Sequence, residues 1–187
     1  MFSQTKEMKA LLMLPIFLAI TGISSAQMKT FHDFTVLDIN DKELKMSDFK
    51  GKKVLVVNVA SECGNTPQYG ILEKMYNQYG PDKFVVIGFP ANNFGEQEPG
   101  SNKEIKAFCD IHFHVTFPMM SKISVKGKDI APIYKWLTTK DENGVMDAKV
   151  TWNFQKFMID ENGHLVGVVD PETSPDCEKI IKWIEEK

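Results

Sequence analysis

The chain has few cysteines: its 187 residues include three, Cys63, Cys109 and Cys177. A small, odd number of cysteines argues against a framework of structural disulfides, and it suits one reactive thiol with one partner. A Cys-x-x-Cys pair is also missing, because Thr66 stands where the second cysteine would follow Cys63. A disulfide oxidoreductase of the thioredoxin type needs such a pair, so that function is disfavoured.

Signals for several other function classes are absent as well. The formal net charge is −3, and no basic stripe is present to meet phosphates, which argues against broad nucleic-acid binding. The sequence contains neither a glycine-rich phosphate loop nor a Ser-His-Asp order. Of the four histidines, His112 and His114 are two residues apart, a spacing that does not turn both rings toward one ion on a helix. We therefore expect neither a metal nor a cofactor.

The N-terminal region differs in character from the rest of the chain. Two lysines precede the apolar run of residues 10–20, and the small residues Ser24, Ser25 and Ala26 follow it. The run is too short to span a bilayer comfortably. A positively charged N-terminal segment, a short apolar segment and small residues at a cleavage site are typical of a secretory signal peptide. We expect cleavage before Gln27. An apolar N-terminal helix or an uncleaved membrane tether is the alternative.

This pattern predicts two regions, a signal peptide over residues 1–26 and one folded domain over residues 27–187. The remaining length is enough to bury a core without disulfide cross-links. We accordingly expect an exported protein, periplasmic or secreted, that is not inserted in the membrane after cleavage.

Two apolar runs of strand length lie on either side of a helical pattern. Lys53 to Ala60 and Lys83 to Phe89 are rich in β-branched residues and predict strands buried on both faces. Between them, Pro67 to Tyr79 predicts a helix, with Thr66 as its cap and the proline in its first turn. A strand, a helix and a strand in this order predict a right-handed crossover and parallel pairing.

The rest of the domain follows the same logic. A glycine-containing turn at residues 161–163 separates two further strands and predicts a hairpin. Ser174 is expected to cap the last helix, with Pro175 at its first position. The other predicted elements are a strand at Phe34–Ile39, helices at Asn102–His112 and Pro132–Leu137, and the hairpin strands Phe154–Asp160 and His164–Val169. This order predicts an α/β fold, a thioredoxin-like sandwich with a central mixed β-sheet flanked by helices.

Cys63 follows the first buried strand and precedes the predicted helix. At such a place the positive end of the helix dipole and unpaired backbone N–H groups favour the thiolate. In parallel α/β sheets, the carboxyl end of a strand is also where ligands bind. The commoner fate of a free cysteine is that of a small buried hydrophobic residue. Position alone leaves both interpretations open.

Three segments of the sequence resemble the motifs of the glutathione peroxidase family. They are NVASECGNT at residues 58–66, FPANNFGEQEP at residues 89–99 and WNFQKF at residues 152–157. They occur in the family's order, and the similarity runs from about Asp33 to the C-terminus. In the first motif, Cys63 stands where some members carry selenocysteine. By this resemblance the chain is identified as a member of the family.

The resemblance implies a catalytic site of four residues, Cys63, Gln97, Trp152 and Asn153. Reduction of a peroxide needs a thiolate that attacks one oxygen while the other departs. Side-chain amides and an indole N–H are neutral donors that can stabilise both charges. Without the motifs, Gln97 would read as a surface glutamine and Trp152 as a core aromatic residue.

The resemblance also suggests a resolving cysteine. Attack on peroxide leaves Cys63 as a sulfenic acid, which condenses with a second thiol. Thioredoxin-dependent members without selenium carry a resolving cysteine in the region of Cys109, ahead of a V-T-F-P segment like that at residues 115–118. The alternative is a buried helical cysteine that never reacts, since such a residue needs local unfolding to reach Cys63. Cys177 lies in no motif and has acidic neighbours, so we interpret it as a structural residue or as one without a role in the reaction.

The implied activity is the reduction of hydrogen peroxide and of organic or lipid hydroperoxides, as a defence against oxidative stress. The electrons would come from a thioredoxin-like protein or from glutathione, and the presence of Cys109 favours the former. The link between Leu137 and Trp152 is shorter than in tetrameric members, which suggests a monomer with an open site. The alternative function is a thiol-based peroxide sensor with the same site, which reacts once instead of turning over.

Overall fold

The computed structural model describes Met1 and residues 28–186. The predicted signal peptide, with its cleavage point before Gln27, lies outside the described residues. Among the helices between residues 28 and 186, none combines the length and the apolar character needed to cross a membrane.

Six strands and five α-helices make up the described chain, together with two short 3-10 turns at Phe31–Asp33 and Met46–Phe49. The strands are β1 (Thr35–Leu37), β2 (Glu43–Lys45), β3 (Lys53–Val59), β4 (Phe84–Pro90), β5 (Lys156–Ile159) and β6 (Leu165–Val169). The helices are α1 (Gln68–Tyr79), α2 (Asn102–Phe113), α3 (Pro132–Thr138), α4 (Lys140–Asn143) and α5 (Glu178–Glu185).

The central sheet has four strands in the order β4-β3-β5-β6. Strands β3 and β4 are parallel, and their pairing runs from Lys53 opposite Phe84 to Val59 opposite Pro90. Strand β5 is antiparallel to both β3 and β6. The sheet is therefore mixed, and the parallel crossover through α1 is confirmed. The short strands β1 and β2 form a separate antiparallel pair.

The alternation of side chains along β3 divides the core between the two faces of the sheet. Val54 and Val56 contribute to a cluster that includes Trp136 of α3. Leu55, Val57 and Val59 contribute to a second cluster, which includes side chains of α1, α2 and α5. Because both faces are covered, every residue of β3 and β4 is buried. This explains why both strands read as continuous apolar runs.

Two helix starts differ from the sequence expectation. Helix α1 begins at Gln68, and the Thr66 hydroxyl does not cap it: this hydroxyl donates to the Ala60 carbonyl and accepts from the Cys63 N–H. The Ala60 carbonyl lies at the end of β3, within reach of the Thr66 hydroxyl. It therefore competes successfully with the N–H groups at the start of α1 for this hydroxyl. Helix α5 begins at Glu178, three residues after Pro175 and with Cys177 at the N-cap position.

The capping prediction for Ser174 is therefore wrong as well. Its hydroxyl donates to the neighbouring Asp176 carboxylate, and the segment forms a turn before the helix starts. The first hairpin strand begins at Lys156, later than the predicted Phe154, because Phe154 has a left-handed backbone with φ of +70°. Such a conformation cannot continue a β-ladder.

Candidate active site

Cys63 lies in the turn that links β3 to α1, at the carboxyl end of the central strand. Its side chain is buried, with 8% of the residue exposed. The Cys63 N–H donates to Thr66 Oγ1 over 3.0 Å, and Thr66 Oγ1 donates to the Ala60 carbonyl over 2.9 Å. The Asn65 N–H is directed at Cys63 Sγ, at 3.4 Å. A backbone donor aimed at the sulfur favours negative charge on it, as a nucleophilic thiol requires.

Gln97 and Asn153 meet at this turn from two different loops. Asn153, which is fully buried and precedes β5, donates its side-chain amide to Gln97 Oε1 over 3.0 Å. The backbone N–H of Glu62 donates to the Gln97 carbonyl, also over 3.0 Å. The Asn65 side chain donates to the Asn153 carbonyl at 3.4 Å. The turn that carries Cys63 is thus hydrogen-bonded to the backbones of both residues.

Trp152 completes the set at the rim of the site. The residue is 41% exposed, and its indole packs on the Phe94 ring with the centroids 5.5 Å apart. Its carbonyl accepts a hydrogen bond from the Asn58 side chain over 3.1 Å. The alternative of a core aromatic residue is wrong for Trp152, because such a residue would be covered. The structure therefore brings all four predicted site residues to one end of the sheet.

Sequence reasoning did not single out the residues that hold these four together. Asn58 is fully buried within β3, and its amide fixes the backbone of Trp152. Asn65 fixes the backbone of Asn153 in the same way. Both residues belong to the motif at residues 58–66. The available signal was the polar Asn58 in an otherwise apolar strand, since a buried amide needs a hydrogen-bond partner.

The site offers neutral hydrogen-bond donors around a thiol. Because Gln97 Oε1 already accepts from Asn153, the amide nitrogen of Gln97 is left to donate. The Asn153 amide nitrogen carries a second hydrogen, and the indole of Trp152 carries one. No group of three or more His, Cys, Asp or Glu within the described ranges could hold a metal ion. The arrangement is suited to nucleophilic chemistry at sulfur with stabilisation of a departing oxyanion.

Cys109 lies on α2 and is buried, with 1% of the residue exposed. Burial, opposed in part by the Tyr69 hydroxyl, raises the pKa of the Cys109 thiol to about 11. In the described part of the chain Cys63, Cys109 and Cys177 are all free thiols. At neutral pH Cys109 is therefore a protonated thiol that is buried on α2.

Cys177 occupies the N-cap position of α5 and is half-buried. Lys156, the lysine of the third motif, lies near it and is fully buried. Burial lowers the pKa of Lys156 to about 8, with Cys177 and Asp170 opposing the shift. The Lys156 ammonium donates to the carbonyls of Asp170, Pro171 and Thr173. Lys156 therefore fixes the loop before α5, whose Asp170 and Pro171 share a cavity with Trp152.

Comparison with known proteins gives consistent matches. The family model described as glutathione peroxidase matches residues 31–138. A glutathione peroxidase of Lactococcus lactis subsp. cremoris is 43% identical over 146 residues, which cover 78% of this chain and 92% of that protein. The glutathione peroxidase-like peroxiredoxin 2 of Saccharomyces cerevisiae is 44% identical over 147 residues, which cover 78% and 90% of the two chains.

Solved structures agree with this result. A crystal structure titled "Trgpx in apo form" matches with a TM-score of 0.65 and 42% identity, covering 84% of this chain and 97% of that one. A thioredoxin family protein from Chlorobium tepidum, titled a thiol:disulfide interchange protein, matches with a TM-score of 0.53 and 20% identity. That match covers 86% of this chain and 99% of the other, and it supports the fold alone. The expected thioredoxin-like α/β sandwich is confirmed.

Proposed function

Since this chain belongs to the glutathione peroxidase family, we propose that Cys63 is its peroxidatic residue and that Gln97, Trp152 and Asn153 assist it. The protein is an enzyme, a thiol peroxidase that reduces hydroperoxides. The observation that carries the assignment of the site is the set of hydrogen bonds that ties the Cys63 turn to Gln97 and Asn153. These bonds hold two neutral amide side chains against the turn that carries the thiol.

The first half of the reaction oxidises Cys63. Its thiolate attacks the terminal oxygen of the hydroperoxide, so that an S–O bond forms and the O–O bond breaks. The departing alkoxide or hydroxide takes up one proton and leaves as an alcohol or as water. Cys63 becomes a sulfenic acid, and the peroxide gains two electrons.

The neutral donors act on both charged species of this step. The Asn65 N–H is directed at the sulfur and stabilises the thiolate before attack. The free amide hydrogens of Gln97 and Asn153, and the indole N–H of Trp152, would stabilise negative charge on the leaving oxygen.

The second half of the reaction is assigned to Cys109. Its thiol condenses with the Cys63 sulfenic acid, so that a disulfide forms and one water leaves. A dithiol reductant then returns two electrons and two protons. A thioredoxin-like protein in the compartment of the enzyme suits this step, since it carries two thiols. Direct reduction of the sulfenic acid by glutathione is the alternative.

The remaining parts of the proposal concern location, assembly and substrate range. Residues 1–26 would direct export and be removed before Gln27. The short connection between α3 and Trp152 supports a monomer with an open site, and the exposed Trp152 at the rim supports access by bulky lipid hydroperoxides. The mass of the mature protein from a native source tests the cleavage. Light scattering tests the monomeric state, and turnover of a lipid hydroperoxide tests the substrate range.

The experiment that tests the cycle is mass spectrometry of the protein after one equivalent of hydrogen peroxide. The wild type should lose about 2 Da and yield a Cys63–Cys109 peptide, whereas Cys109→Ser should stop at a Cys63 sulfenic acid. Cys177→Ser is the matched control and should behave as the wild type. A wild-type protein that stops at the sulfenic acid would assign Cys109 a structural role. Repeated turnover with reductant distinguishes the enzyme from a sensor.

A further inference from the structure

A buried carboxyl group lies directly behind the proposed site. Glu98 follows Gln97 in the chain and is 1% exposed. Within the described residues, its Oε2 atom has no hydrogen-bond partner. Ser61 lies beside this carboxyl, near enough for its hydroxyl and its backbone N–H to favour the carboxylate and lower the Glu98 pKa, although the buried hydroxyl makes no hydrogen bond of ordinary geometry in the described chain. Ser61 precedes Cys63 by two residues, so the carboxyl faces the start of the peroxidatic turn.

Solvent reaches this place through a cavity of about 480 Å³. Its walls include Ser61, Glu62 and Glu98, together with the first two turns of α2. The volume admits water, which can exchange a proton with the carboxyl. The cavity therefore leaves Glu98 able to titrate even though its side chain is buried.

No charged side chain among the described residues forms an ion pair with the Glu98 carboxyl group. Lys122 is the nearby cation, and its ammonium donates to the backbone carbonyls of Glu98 and Gly100 over 3.2 and 2.6 Å. The remaining titratable groups that face this site or line its cavity are Glu62, Tyr69, Glu104 and Cys109. Each of these is neutral or negative. Burial raises the pKa of Glu98 to about 7, although the neighbouring Ser61 and Lys122 partly oppose that shift.

We propose that Glu98 is a positioning residue for the Cys63 turn and that it acts while its carboxyl is protonated. The proposal rests on the peroxidatic role of Cys63. A protonated carboxyl can donate a hydrogen bond to the Ser61 hydroxyl, whereas a carboxylate can only accept one. Both forms can therefore join the start of the turn to the loop that carries Gln97, but the neutral form does so without placing a charge in the buried site. The same two segments already meet at the hydrogen bond from the Glu62 N–H to the Gln97 carbonyl.

Ionisation of Glu98 changes this arrangement. It places a negative charge without an ion-pair partner in a buried site, which is costly. The cost is relieved if the loop and the turn separate enough to admit water. Cys63 and Gln97 would then lose their mutual placement, since they lie on these two segments. The neutral carboxyl should therefore support a faster reaction of Cys63 than the carboxylate does.

The test uses Glu98→Gln, which fixes a neutral side chain of the same shape. The rates of Cys63 oxidation by hydrogen peroxide and of its alkylation by iodoacetamide are measured between about pH 5.5 and about pH 8.5. The ratio of the variant rate to the wild-type rate should be near one at the acidic end. It should rise at least about threefold through neutral pH, as the wild-type carboxyl ionises. Glu98→Ala, which lacks the hydrogen bond, should be slower than Glu98→Gln at every pH.

Glu43→Gln is the matched control, because it removes an exposed carboxylate on β2 that does not line this cavity. Its rate ratio to the wild type should not change with pH. A pH-independent ratio for Glu98→Gln would overturn the proposal, and so would a loss of rate at all pH values. Alkylation reports on the turn without any peroxide. A normal alkylation result with no reaction toward peroxide would therefore contradict the proposed function and leave the role of Glu98 intact.

Discussion

The side-chain amide of Asn153 donates to Gln97 Oε1 over 3.0 Å, across two loops that are 56 residues apart in sequence. One loop follows β4 and the other precedes β5, the two strands that flank β3 in the sheet. Their meeting point is therefore directly beyond the end of β3, where Cys63 lies. The mixed sheet therefore brings both side chains to the end of β3 that leads into the Cys63 turn.

Gln97→Ala should lower the second-order rate constant for hydrogen peroxide by about 100-fold, the usual effect of losing one oxyanion donor. Stopped-flow measurement of Cys63 oxidation gives this constant. Asn153→Ala should have a similar effect, and the double variant should lose less than the product of the two, because the residues act as a hydrogen-bonded pair. Gln78→Ala removes an exposed glutamine of α1 and should retain the wild-type rate. Strictly multiplicative effects would contradict the pairing.

Thr66→Ala should destabilise the protein by about 1–3 kcal/mol, because it leaves the buried Cys63 N–H without its acceptor. It should also slow the alkylation of Cys63, since the turn loses the bond that ties it to the Ala60 carbonyl. Thr66→Ser keeps the hydroxyl and should recover most of both losses. Denaturant unfolding and peptide mass spectrometry measure the two effects. Equal stability of the alanine and serine variants would show that the hydroxyl has no such role.

Under native conditions at neutral pH, iodoacetamide should modify Cys63 at least about tenfold faster than Cys109, since a protonated and buried thiol is unreactive. The folded pKa of Cys109, about 11, lies above the ordinary thiol value. The neutral Cys109 thiol therefore stabilises the packed helix α2. This stabilisation is fully present below the ordinary thiol pKa, and it is lost as the pH rises through about 11, the pKa of Cys109 in the folded protein. Hydrogen exchange in α2 should accelerate over this alkaline range, and Cys109→Ser should not show the same dependence.

Lys156→Met should destabilise the protein by about 2–4 kcal/mol, because one buried and two partly buried carbonyls lose their shared donor. The loop of residues 170–173 should become more susceptible to proteolysis. The effect should extend to peroxidase activity, since Asp170 and Pro171 share a cavity with Trp152. Lys149→Met replaces an exposed lysine and should change neither property. Thermal unfolding and limited proteolysis compare the two variants. Equal stability of Lys156→Met and Lys149→Met would contradict the prediction.

The sequence predicted the structure best where a single physical requirement, such as burial of a strand on both faces, determines the residue types. Burial on both faces made β3 and β4 readable as apolar runs to within one residue, and the motif pattern selected Cys63, Gln97 and Asn153, which the fold brings to one end of the sheet. It was less informative where several groups compete for one partner. The Thr66 hydroxyl has a helix end and the Ala60 carbonyl within reach, and sequence cannot rank them.

Burial set by tertiary packing was also hidden from the sequence. Glu98 reads as an ordinary polar loop residue, and the contacts that cover it come from segments distant in sequence. The left-handed backbone of Phe154 is imposed in the same way, because the Phe154 N–H is drawn to the carbonyl of Asn58 on β3. Local propensity gives no signal for either feature.

The exposure of Trp152 gives the molecule an optical probe of its own chemistry. The other two tryptophans are covered, Trp136 completely and Trp183 to all but 8%. Indole emission shifts to longer wavelength in water, so the red side of the spectrum should come chiefly from Trp152. Trp152 is one of the four residues proposed to form the peroxidatic site. Oxidation and reduction of Cys63 should therefore be visible as changes in intrinsic fluorescence, in real time and without a label.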